Sequence, residues 1–152
     1  MNLATSALAV DDLILNVTQE VYVRASLDAT FAALLEQLGP GFDTPEGNSL
    51  SAKIEAWPGG RWYRDLGEGN GHLWGHVQAI KRPTLLEFTG PLFMSYAVLS
   101  NVLYRLSESE GGTLIAFHHF ALGAIPADIR ENITKGWTHI HQKARQRAES
   151  SR

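Results

Sequence analysis

Six histidines and two closely spaced arginines, Arg61 and Arg64, are the side chains of this 152-residue sequence best equipped for chemistry. Imidazoles bind a metal only where several converge on one ion. His72 and His76 have helical spacing but fall in a strand-like stretch, where four residues separate Cα atoms by about 13 Å. His118 and His119 project to opposite faces of their strand, and His139 and His141, two apart on a helix, diverge. No metal site is expected. His119 differs from the others: if Ile115 and Phe117 face inward, a period of two sends it inward as well, to hydrogen-bond a ligand or to move a proton near neutral pH. Proton transfer would also need a partner, and no Asp or Glu is clearly placed for it. A core histidine satisfied by a neighbour is therefore the simpler reading, with His119 as catalyst the alternative.

Arg64 shares a face with Trp62 and is the better inward candidate for an anionic ligand group. Arg61 follows a turn and is expected in solvent. Trp57, Trp62, Trp74 and Trp137, with Tyr63, Tyr104 and Phe117, supply the aromatic surface of a small-molecule pocket, and equally that of an ordinary core. Lys135, Lys143, Arg145 and Arg147 read as the exposed face and last turn of a helix. Zero cysteines exclude disulfides, thiolate zinc sites and thiol catalysis. A formal charge of -3, with 13 basic and 16 acidic residues intermixed, gives no footprint for nucleic acid. There is no Gly-rich phosphate loop and no Gly-x-Ser-x-Gly elbow, and no cofactor is expected.

The elements that must position these groups follow from periodicity. Residues 14 to 24 alternate as a half-buried strand, with Leu15, Val17, Val21 and Val23 on one face. Ser26 caps a helix over 27–38 that carries Phe31, Leu34, Leu35 and Leu38 and stops at Gly39-Pro40. After an irregular connection, strands are predicted over 50–57, 61–66, 73–80, 85–89, 97–106 and 113–122, joined by Gly-rich turns. From Pro126 the apolar residues Ile129, Ile133, Trp137, Ile140 and Ala144 share one face of a long helix. Gly136 within it costs about 1 kcal/mol relative to Ala, which suggests close packing or a local bend. The class is α+β: about seven antiparallel strands curved around a long C-terminal helix. Residues 1–12 read as a loose leader without signal-peptide character, and 13–150 as a single domain. No window is long and apolar enough to span a membrane, and a cytoplasmic location is expected.

Ala25-Ser26 with Phe31, Pro58-Gly59-Gly60-Arg61-Trp62, Gly75-His76-Val77 leading through Pro83 to Leu86-Glu87-Phe88-Thr89, Gly112-Thr113-Leu114 with His119, and Gly136-Trp137 occur in an order that resembles the SRPBCC or helix-grip superfamily. That superfamily holds the birch-pollen allergen, START lipid-transfer domains and polyketide cyclases. Within it the chain is similar to the branch named after the activator of heat-shock protein 90 ATPase, over residues 17 to 145. It departs from that branch at Gly41-Phe42-Asp43, where a tryptophan-rich signature is usual, and at Phe120-Ala121.

The resemblance implies a helix-grip fold. With the aromatic inventory, the leading expectation is non-catalytic binding of a small hydrophobic or amphipathic molecule between sheet and terminal helix. The expected ligand-binding residues are Trp62, Arg64, Trp74, Tyr104, Phe117, His119, Ile133 and Trp137. The alternatives are a cyclase- or dehydratase-like enzyme using His119 in the same cavity, and a module that engages a chaperone or other protein partner. A homodimer stays open.

Overall fold

In the computed structural model, residues 9–93 and 95–150 are described. The first eight residues of the expected leader lie outside them. Its end forms a 3-10 turn, Val10–Leu13, held by Arg130, whose Nη2 donates to the Asp12 carbonyl at 2.6 Å.

Seven strands, β1 (Ile14–Val23), β2 (Ala52–Ile54), β3 (Arg61–Gly67), β4 (Asn70–Lys81), β5 (Leu85–Gly90), β6 (Val98–Ser109) and β7 (Gly112–Gly123), form one antiparallel sheet. Its order is β1-β7-β6-β5-β4-β3-β2. Only β1 is out of sequence order, because α1 (Leu27–Leu38) carries the chain from one edge of the sheet to the other. The predicted bounds of β1 and α1 agree with the structure to within a residue. Ser26 caps α1 by accepting the Ala29 N–H at 3.1 Å. The strand predicted over 50–57 shrinks to three residues, and β3 and β4 run closer together than expected. Their turn is Glu68-Gly69 alone, with both residues at positive φ (55° and 77°), the backbone of a tight hairpin.

α2 (Ala127–Ser150) lies across the concave face. Its C-terminal half is locked down: Trp137, Ile140, His141, Ala144 and Ala148 are buried, the two alanines letting it approach its neighbours closely. Its N-terminal half is not, since Ile129 and Ile133 stay partly exposed although they continue the same stripe. Helix and sheet therefore meet tightly at one end and stand apart at the other. An α+β helix-grip architecture results.

Candidate functional site

The gap beneath the N-terminal half of α2 is a cleft of about 850 Å³. Phe42 to Pro45 and Leu50 form one wall, Arg64 and Gly71 to Trp74 of the β3–β4 hairpin another, Pro91 to Phe93 with Ser95 and Tyr96 a third, and α2 from Ile129 to Ile140 the roof. Most of this lining is apolar. Its size falls within the ~300–1,000 Å³ of small-molecule sites. Leu73 and Tyr96 remain about half exposed at its rim.

The floor is a ring cluster. Trp62 stacks on Phe88 with centroids 4.6 Å apart, and Phe93 touches Phe42, Trp62, Trp74 and Trp137 at 5.2 to 5.6 Å. The indole N–H of Trp62 donates to the Leu38 carbonyl at 2.7 Å, satisfying an acceptor that the end of α1 leaves without a helical partner. The cluster thereby ties the sheet to both helices. It gives the cleft a rigid aromatic base.

Four of the eight predicted ligand residues line the cleft: Arg64, Trp74, Ile133 and Trp137. The other four, Trp62, Tyr104, Phe117 and His119, are buried beneath or beside the lining. His119 is fully buried with both ring nitrogens engaged. The Trp137 indole, which can only donate, gives its N–H to Nδ1 at 3.0 Å, so Nδ1 is unprotonated and Nε2 donates to the Ser100 hydroxyl at 3.0 Å. Burial lowers its pKa to about 4. Near neutral pH this ring is uncharged and has no nitrogen free for a substrate.

His141 has an analogous place. Its Nδ1–H donates to Gln19 Oε1 at 2.7 Å, leaving Nε2 to accept the Tyr104 hydroxyl at 2.9 Å. Gln19 passes the chain on to Thr138 Oγ1 at 3.1 Å. Burial lowers the His141 pKa to about 4 and raises that of Tyr104 well above its usual value. The two histidine networks bolt α2 to β1, β6 and β7.

Among the polar groups of the cleft, Asp43 receives His139 Nε2 at 3.0 Å and has Lys143 Nζ at 3.9 Å, which pins the 39–49 connection to α2. Arg61 is held outside by Glu55 through two side-chain hydrogen bonds of 2.8 and 2.9 Å. That pairing lowers the Glu55 pKa to about 2. Arg147, expected on the exposed face of the helix, instead turns inward, donates to Gln37 Oε1 at 3.1 Å and packs over Gly41. Any side chain at position 41 would meet its guanidinium, a reason for the glycine in the departure noted above. Gly136 also differs from its expectation: a Cβ there would meet nothing within 4 Å, because the residue borders the cleft. Open space, rather than close packing, accompanies this glycine.

Sequence reasoning missed Phe42, Phe93, Asp43 and His139. Phe42 and Phe93 sit in connections without periodicity, so nothing in their neighbourhood marked them as inward. Among the described residues no group of three or more His, Asp or Glu is arranged to hold a metal ion, and no helix is long and apolar enough to cross a membrane.

A sheet gripping one long helix, with an apolar cleft between them, defines a helix-grip protein. Residues 28–148 match the family described as Activator of Hsp90 ATPase homolog 1-like protein, and the chain belongs to that family. Solved structures agree on the fold. Ara h 8.0201 is 17% identical with a TM-score of 0.66, over 90% of this chain and 99% of the other. A protein of unknown function from Staphylococcus aureus, SA2116, is 14% identical with a TM-score of 0.68, over 94% and 98%. The di-domain ARO/CYC StfQ from the steffimycin biosynthetic pathway is 11% identical with a TM-score of 0.62, over 93% of this chain and 51% of that one. No curated protein matches the sequence.

Proposed function

We propose that this protein binds a small hydrophobic or amphipathic molecule in the cleft between sheet and terminal helix, without catalysing a reaction on it. The observation that carries this reading is the half-covered apolar stripe of α2. Ile129 and Ile133 continue the face that Trp137 and Ile140 bury, yet they look onto about 850 Å³ of unfilled space floored by aromatic rings. Leaving such surface to water costs roughly 25 cal/mol per Å². A bound apolar molecule recovers that cost, and the rigid floor limits the entropy lost when it binds. Among the described residues, the histidine considered as a catalyst has no free nitrogen, because His119 is saturated by Trp137 and Ser100, and this supports binding over turnover.

The test is native mass spectrometry of the protein as purified, followed by denaturing extraction. A mass excess that disappears on denaturation is the expected result, and the extract then gives the ligand's chemical class. A bare mass that stays bare after incubation with excess apolar probes would overturn the proposal.

A further inference from the structure

Among the described residues, one fixed charge in the cleft has no charged partner. Asp43 is matched by His139 and Lys143, and Arg61 by Glu55. Arg64 lines the cleft, half-buried; its side chain makes no hydrogen bond or ion pair among the described residues, and its Nε is buried without an acceptor. A guanidinium keeps its charge at any ordinary pH, and a buried donor without an acceptor is a cost that proteins rarely leave standing. Resting on the binding reading above, we propose that the molecule taken up is an organic monoanion. Its carboxylate or sulfonate head pairs with Arg64, and its apolar body lies against Trp74, Ile133 and Trp137.

The position of Arg64 fixes the direction of binding. On β3 it stands opposite His72 of β4, on the same face of the sheet, and His72 and Leu73 beside it are exposed. The cation thus marks the end of the cleft near the hairpin, whereas Trp137 and Ile140 of α2 mark its buried side. An anion entering tail first would place its apolar body on the aromatic floor and leave its head at the guanidinium, where two parallel N–H groups match two oxygens. His72 offers a further ring nitrogen to the same head. A neutral ligand would leave the guanidinium charge without a counter-ion, and a cationic one would be repelled.

A matched probe pair tests this by fluorescence titration: 8-anilinonaphthalene-1-sulfonate and N-phenyl-1-naphthylamine, which differ only in the sulfonate. The wild-type protein should bind the sulfonate at least about tenfold more tightly than the neutral probe, as expected for a charge-assisted hydrogen bond in a partly buried site. Arg64→Gln should abolish that preference by weakening the sulfonate at least about tenfold more than the neutral probe, and Arg64→Lys should restore part of it. Circular dichroism of each variant verifies the fold. Equal affinities in the wild type, or a preference that survives Arg64→Gln, would overturn the anion proposal while leaving the binding site standing. Saturable binding of neither probe by folded wild-type protein would overturn both.

Discussion

At the scale of single residues, His119 and His141 act as struts rather than catalysts. Each is almost fully buried, neutral and bonded at both nitrogens, to partners that together span β1, β6, β7 and α2. His119→Ala should therefore leave the Trp137 indole and the Ser100 hydroxyl without their partner beside a new void, and lower stability by about 3 kcal/mol in chemical denaturation. The pH dependence has a definite sign. Both pKa values fall from 6.5 to about 4 in the folded state, so the unfolded chain binds more protons between those limits. The stability that follows from keeping the rings neutral is fully present above about pH 6.5 and is lost as pH drops toward 4. Each histidine adds a slope of at most about 1.4 kcal/mol per pH unit within that window. Denaturant titrations from pH 7 to 4 should show this fall, and His141→Gln should flatten it. Alternation placed His119 on the inner face correctly, but the partners that fix its state, Trp137 and Ser100, lie 18 and 19 residues away in sequence, and no local pattern announces such pairs.

At the scale of elements, α2 does two jobs with one apolar face. Its C-terminal half presents Ala144 and Ala148 for close approach, and its N-terminal half presents Ile129 and Ile133 to empty space. The periodicity of the helix was readable from the sequence because it is local; the division of its face was not, because it depends on how far the sheet curves away. Gly136 shows the same limit. The sequence signals an unusual helix interior, yet only the surroundings distinguish tight packing from open space. Gly136→Ala should raise the thermal midpoint, by the equivalent of about 1 kcal/mol, since it removes the helix penalty of glycine without meeting another atom. The connection after α1 is likewise a wall rather than a loose loop: Phe42 enters the ring cluster and Asp43 is tied to His139. Asp43→Ala should free that wall and leave His139 without its carboxylate. Hydrogen exchange of residues 41–49 should accelerate while that of the central strands stays unchanged.

At the scale of the whole molecule, the seven-stranded sheet is a support against which one helix packs tightly at its C-terminal half, and the apolar gap left under its N-terminal half is a feature that packing does not explain. The order of elements along the chain, the class and the two helices followed from alternation, turn residues and amphipathic spacing, all of them short-range signals. The walls of the cleft did not, since half of them are connections whose inward side chains, Phe42 and Phe93, carry no period. That gap should close to ligands when α2 is given bulk at its open glycine. Titration of N-phenyl-1-naphthylamine into wild-type and Gly136→Phe protein should give saturable one-to-one binding to the first and at least about tenfold weaker binding to the second, with both folded, because the ring competes for the same apolar volume. Equal affinity for the two proteins would place the probe elsewhere and contradict the assignment of the cleft as the binding site.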